Sequence, residues 1–266
     1  MSFNIALKSI KKNSLISQIK QCVEKIGEKL MEIYSQPFEV AYKTDKSPVT
    51  VADNLANQML LEMLSAITPD IPVISEEIIN TSFETRRNWT KCWIIDPLDG
   101  TKEFVKHTDE FTINIALIEH GKPIFGLIYA PALQKMYYGE KGNGSFVLED
   151  GVWKRIFCKS TYETQSVVTI ATSRSHPSYE VNTFMKRLLR QGKKVNTLEM
   201  GSSLKLCLVA DGSVDVYPRY GTTMEWDIAA GHAIIEFAGR QVLDMKTNLP
   251  LVYNKENLEN PYFIAF

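Results

Sequence analysis

Trp93-Ile-Ile-Asp96-Pro-Leu-Asp99-Gly-Thr101-Lys-Glu-Phe104 decides how this chain is read. Cys92 to Ile95 is a short apolar run with strand character, and a carboxylate follows it at once. Pro97 lacks the N–H that a central strand needs, and Gly100 permits a tight turn. The spacing therefore predicts a strand ending at Ile95 and then a turn. Such a turn aims the carboxylates of Asp96 and Asp99 and one backbone carbonyl in one direction. Hard divalent cations take that set of oxygens. Soft ligands are nowhere clustered, which favours Mg²⁺ over Zn²⁺.

Further acidic residues end other elements on either side of this stretch. Upstream, Leu15, Ile16, Ile19, Val23, Ile26, Leu30 and Ile33 follow helical spacing to Tyr34, with Ser14 as N-cap. A second helix is expected from Val51 to Ile67 with Asp53 in its first turn, and Pro72-Val-Ile-Ser75 is a strand running into Glu76-Glu77. Phe111–Ile118 and Pro123–Ala130 form a hairpin about His120-Gly121-Lys122, and short strands separated by glycines follow to Phe157. Beyond residue 160 strands (Val167–Ala171, Val195–Met200, Val214–Tyr217) alternate with helices (Tyr179–Arg190, Ser202–Ala210, Met224–Phe237). The last helix carries Asp227 near its start. The expectation is an α+β half over 1–158 and an α/β half over 159–266. No flexible linker separates them, so they should pack closely with a site in the cleft between them.

Composition sets outer limits. The 266 residues are 44% hydrophobic and 23% charged, which excludes disordered, collagen-like and coiled-coil chains. Lys+Arg is 30 against 31 Asp+Glu, so no basic field exists to hold polymeric nucleic acid. The scattered Cys22, Cys92, Cys158 and Cys207 form no CxxC pair, which fits a reducing cytoplasm. No signal peptide or membrane span is read. The weakly apolar, then basic leader Met1–Asn13 leaves open a weak peripheral contact with the cytoplasmic face of an anionic inner membrane.

Each acidic feature taken alone is ordinary. Asp-Pro and Asp-Gly are turn residues. Thr50-x-x-Asp53 fits a capping box, and Trp226-Asp227 fits a core tryptophan beside a favourable N-terminal carboxylate. Their common place at the ends of apolar elements is where sites in open α/β sheets form. Leu98-Asp-Gly-Thr101 also resembles the signature of haloacid-dehalogenase phosphatases. There a nucleophilic aspartate stands two residues before a second one, but here that position is Pro97. Walker A, Rossmann and G-x-S-x-G patterns are absent.

Taken together, Lys46-Ser-Pro-Val-Thr-Val-Ala-Asp53, Pro72–Glu77, Trp93–Phe104 and Glu225-Trp-Asp-Ile-Ala-Ala-Gly231 resemble the inositol monophosphatase superfamily. Gly100-Thr-Lys-Glu-Phe104 with Gly201-Ser-Ser-Leu-Lys205 resembles its 3′(2′),5′-bisphosphate nucleotidase branch. The resemblance implies a layered αβαβα sandwich and a lithium-sensitive phosphomonoesterase using two or three Mg²⁺ ions. Glu76, Asp96, the Leu98 carbonyl, Asp99 and Asp227 would hold the metals. Asp53 and Thr101 would position and deprotonate the attacking water. The substrate would be adenosine 3′,5′-bisphosphate, and its sulfated analogue is a candidate. It would lie on Glu76, Leu98, Asp99, Gly100, Thr101 and Asp227 at the metal end. At the far end it would meet Ser173, His176, Gly201, Ser203, Lys205 and Arg219, with Arg174 a further candidate.

A substrate with about four negative charges needs a second phosphate pocket supplied locally by a near-neutral protein. Gly201-Ser-Ser at a helix start is expected to offer unpaired backbone donors. Lys205 reads either as a phosphate contact or as a solvated helix lysine, and Arg219 either as a contact or as a surface ion-pair partner. Glu77 is expected to support the ligands, and Lys102 marks the branch without a derived role. Two rival readings stay open: a broader inositol or sugar phosphatase, and a nucleotide-binding regulator on an inactive scaffold. The oligomeric state is left between monomer and homodimer.

Overall fold

The computed structural model describes residues 15–42, 48–78, 81–158, 161–174 and 178–266. The chain opens with α1 (Leu15–Tyr34), β1 (Val40–Tyr42), β2 (Pro48–Thr50), α2 (Val51–Ile67), β3 (Val73–Ser75) and α3 (Phe83–Arg86). Then come β4 (Lys91–Asp99), α4 (Thr101–Val105), β5 (Thr112–Glu119), β6 (Lys122–Ala130), β7 (Lys135–Glu140), β8 (Gly144–Glu149) and β9 (Val152–Ile156). Alternation follows through β10 (Val167–Ser173), α5 (Tyr179–Arg190), β11 (Lys194–Met200), α6 (Leu204–Asp211), β12 (Tyr217–Arg219), α7 (Glu225–Phe237), β13 (Val242–Asp244) and β14 (Phe263–Ala265). The Ser14 cap lies outside the described residues. The strand expected over Val214–Tyr217 is displaced to Tyr217–Arg219, because its extent is set by pairing with the distant β14.

Strands β3 to β9 form one sheet in sequence order, β3 parallel to β4 and the others antiparallel. Side chains alternate across it as a pleat requires. Trp93 and Ile95 join Ile19, Val23, Ile26, Leu30, Leu60 and Leu64 of α1 and α2 in one core. Cys92 and Ile94 join Ala229, Ala230 and Ile234 of α7 and Leu206 of α6 in the other.

The second sheet begins with the parallel pair β10 and β11, and Val216 bridges Ile170 to bring in the antiparallel set β12-β14-β13. Phe184 and Leu188 of α5 cover its outer face over Val168 and Ile170. Helices α6 and α7 lie between the two sheets, so the molecule is a five-layered αβαβα sandwich. The change of sheet falls between β9 and β10, yet α7 from the later part of the chain packs on β5, β6, β7 and β8.

A departure from the expected turn positions the site. Strand β4 does not stop at Ile95 but runs through Pro97 to Asp99. Asp96 pairs with Asn114 and Asp99 with Thr112, leaving Pro97 and Leu98 opposite Ile113 alone. This is a β-bulge, where a proline without an N–H is tolerated. In a regular strand residues three apart face opposite ways. The extra residue shifts that parity, so Asp96 and Asp99 share the face of Ile94, toward α6 and α7. Beyond it Gly100 (φ 90°) turns the chain into α4, and a Cβ there would stand 3.0 Å from the Glu110 carbonyl oxygen.

Close approach of α7 to the sheet depends on Gly126 in β6. A Cβ at that position would lie 2.2 Å from the Ala230 carbonyl oxygen and 2.8 Å from the Ala233 Cβ. Gly126→Ala should therefore destabilise the fold by about 1–3 kcal/mol, the usual cost of overpacking. Urea unfolding checks this: the midpoint should fall with the slope unchanged. An unshifted midpoint would mean that α7 does not sit this close.

Candidate active site

Asp96, Asp99 and Asp227 each place one carboxylate oxygen within 4.8 Å of the others. The first two come from the bulged end of β4, the third from the first turn of α7. They line a cavity of about 550 Å³ together with Glu76, Leu98, Gly100 and Thr101. Burial holds the Asp96, Asp99 and Asp227 carboxyls above the usual carboxylate range. Glu76, Asp99 and Asp227 raise Asp96 further by charge repulsion, whereas Lys205 partly offsets the rise at Asp99. A cluster of mutually repelling hard oxygens fits a divalent cation.

Asp53 stands beside this cluster in the first turn of α2. Its Oδ2 accepts from the Thr50 N–H (2.7 Å) and the Thr50 hydroxyl (2.8 Å). Its Oδ1 accepts from the Thr101 hydroxyl at 3.0 Å. The capping box thus occupies one oxygen of Asp53, and the other faces Thr101. Burial pushes the carboxyl up to about 6, against the hydrogen bonds from Thr50 and Thr101 that hold it down. The Thr101 hydroxyl also lies 3.2 Å from the Leu98 carbonyl oxygen.

Residues of the second sheet and of α6 build the far wall. Ser173, Gly201, Ser203, Lys205, Tyr217 and Arg219 line the same cavity. The backbone donors expected to be open at Gly201-Ser-Ser are instead taken by the protein's own carboxylates. The Gly201 N–H donates to Glu110 Oε2 (2.7 Å), and the Ser203 N–H to Asp99 Oδ2 (2.5 Å). The Ser203 hydroxyl bonds Asn114 and Thr112 at 2.8 Å each. Arg174 is likewise committed, gripping Glu110 through Nε (3.1 Å) and Nη2 (2.8 Å).

Lys205 is not a solvated lysine. It is 5% exposed, and its Nζ donates to the Met200 (3.0 Å) and Ser202 (2.7 Å) carbonyls above the Tyr217 ring. Burial lowers its ammonium to about 8. Arg219 donates to the Thr222 carbonyl, and its buried Nε has no partner among the described residues. That Nε is a donor in a cavity wall, which a surface ion-pair residue would not supply.

A model of the inositol monophosphatase family matches residues 11–261. The chain belongs to this family. It is 43% identical to the 3′(2′),5′-bisphosphate nucleotidase CysQ of Salmonella typhimurium over 94% of this chain and 98% of that one. CysQ of Buchnera aphidicola is 44% identical over 86% of this chain and 83% of its own. The crystal structure of CysQ from Bacteroides thetaiotaomicron superimposes with a TM-score of 0.81 at 39% identity, covering 93% of this chain and 95% of that one.

Within this family fold, residues distant in sequence converge on one cavity, Glu76 and Thr101 from one side and Ser173 and Asp227 from the other. His176 and Lys46 lie outside the described residues. Three supporting residues escaped the sequence reading. Thr112 and Asn114 are fully buried polar residues two apart in an otherwise apolar strand, a period that places both on the Asp96–Asp99 face. Glu110 carried no comparable signal. No described helix is long and apolar enough to cross a membrane.

The carboxylates set a pH signature for the cation-free protein. Burial pushes the Asp53 carboxyl to about 6 in the folded protein, above the 3.8 of an ordinary aspartate. A raised carboxyl favours folding fully below 3.8, and that contribution is lost as pH rises through about 6. In chelator, the wild type should therefore lose stability relative to Asp53→Asn across that window, by up to about 3 kcal/mol. Mg²⁺ should raise the melting temperature at neutral pH more than at pH ~5, where protons compete for the same oxygens. Parallel stability curves for the two proteins would refute this assignment.

Proposed function

We propose that the chain is a Mg²⁺-dependent 3′(2′),5′-bisphosphate nucleotidase. It hydrolyses adenosine 3′,5′-bisphosphate to AMP and phosphate, with the sulfated analogue a second substrate. The observation that carries this reading is the make-up of one cavity. A carboxylate cluster and the Thr101–Asp53 pair stand at one end, and Lys205 and Arg219 lie in the opposite wall. A simple sugar phosphate has no use for that second positive wall. The similarity to CysQ proteins over nearly the whole chain supports the same substrate class.

Asp96, Asp99, Asp227, Glu76 and the Leu98 carbonyl would hold two or three cations. Bound there, the metal supplies charge neutralisation on the phosphate oxygens and acidifies a water. The protein's own part is proton movement and placement. With the Thr101 hydroxyl donating to Asp53 Oδ1, its oxygen is left to accept a proton from the attacking water. The threonine proton passes to Asp53 Oδ1, a carboxylate that neighbouring cations would keep ionised and so able to act as a base. Asp53 Oδ2 stays fixed by Thr50, so the accepting oxygen does not swing away. At the far end Lys205, Arg219 and Ser173 receive the second phosphate and the nucleoside.

Phosphate release with Mg²⁺ from adenosine 3′,5′-bisphosphate, 3′-AMP, 5′-AMP and inositol 1-phosphate tests this. The bisphosphate should be strongly preferred. Asp99→Asn should reduce the rate by at least about 100-fold, since loss of residues that merely support a ligand costs 10–100-fold. Equal or better turnover of inositol 1-phosphate would keep the metal chemistry and replace the substrate. Bisphosphate binding without turnover would point to a regulator.

A further inference from the structure

Asp99 belongs to the metal end, yet its orientation is fixed from the opposite side of the cavity. Its Oδ2 accepts the Ser203 N–H at 2.5 Å. Ser203 sits on a turn entered through Gly201 and through Ser202, which holds the left-handed conformation (φ 45°) that serine adopts at a cost. Such a turn persists only when its surroundings over-determine it. One of the groups that hold it is Glu110, just before β5. Its Oε2 accepts the Gly201 N–H at 2.7 Å and Arg174 Nε at 3.1 Å, and its Oε1 accepts Arg174 Nη2 at 2.8 Å. Arg174 directly follows the end of β10, so one carboxylate spans from the first sheet to two points of the second.

We propose that Glu110 is a positioning residue of the reaction, a tie that seats the Gly201–Ser203 turn so that Ser203 can orient Asp99. The inference rests on the metal-dependent phosphatase reading of this cavity. The hydrogen bond to Gly201 is the part that matters, because its donor is backbone and its acceptor is largely shielded. The pair with Arg174 involves a side chain 45% exposed, where an ion pair contributes little. Glu110 therefore acts through reach and acceptor geometry more than through charge.

This distinction fixes the experiment. Glu110→Gln keeps an acceptor at the same reach and drops the charge, whereas Glu110→Asp keeps the charge and is one methylene too short. Glu110→Ala removes both. Three quantities are read on the full-length protein: melting temperature, Mn²⁺ affinity by paramagnetic resonance without substrate, and kcat and KM as a function of Mg²⁺. The rates are taken on whichever phosphomonoester the wild type hydrolyses, so a wrong substrate assignment leaves the test intact.

Glu110→Ala and Glu110→Asp should weaken Mn²⁺ binding several-fold and lower kcat about 10-fold or more, the scale seen for residues that support metal ligands. Glu110→Gln should recover most of both. Should Glu110→Ala fail to fold, the Gln and Asp variants still decide. Glu110→Asp matching the wild type while Glu110→Gln fails would show that charge alone is at work and would overturn the proposal. So would folded variants whose melting temperature falls while Mn²⁺ affinity and kcat stay unchanged.

Discussion

Three carboxylates, those of Asp96, Asp99 and Asp227, crowd together in a largely shielded cavity, with buried Asp53 joined to its wall through Thr101, and every other feature of the site answers to that constraint. Like charges in a buried space raise one another's proton affinity and drive the groups apart unless something holds them. Here each is held in the same manner. Asp53 accepts from the Thr50 N–H, Asp96 from the Leu98 N–H, Asp99 from the Ser203 N–H and Asp227 from the Met224 N–H. One oxygen of each residue is anchored to a backbone donor, and the other is left for chemistry. Asp53 and Asp227 use the first turns of helices for this, where the backbone offers unpaired donors and a favourable dipole.

The anchors are local for three residues and long-range for the fourth. Asp96 bonds two residues along its own bulge, and Asp53 and Asp227 cap their own helices. Asp99 alone of these depends on a turn about a hundred residues later, which is why the packing of the two sheets bears directly on the metal end. That packing is in turn set by α7, which approaches β6 closely enough to need glycine at 126.

Much of this was legible in the sequence, and the limits have physical reasons. Helix α2 spans Val51–Ile67 as its apolar spacing predicts, and the hairpin turns at His120-Gly121. The carboxylates were visible because they interrupt or end apolar runs. The bulge was not visible: Pro97 reads as a strand terminator until the neighbouring strand is known to absorb the extra residue. Open donors at Gly201-Ser-Ser were expected because a helix start normally presents them. Nothing local reveals that Asp99 and Glu110, from another sheet, fill those positions. Lys205 read as solvated or substrate-facing for a related reason: its carbonyl partners at Met200 and Ser202 are near in sequence, but the Tyr217 ring beside it arrives only through the fold.

The central place of α7 also governs the order in which the protein can be completed during synthesis. The first sheet is fully translated by residue 156, but the face carrying Cys92, Ile94, Ala116 and Ile128 packs against a helix that ends at Phe237. Until that helix leaves the ribosome, a broad apolar surface has its proper cover still inside the exit tunnel. The nascent first half is therefore the aggregation-exposed stage of this chain's life, and its rescue comes late and all at once.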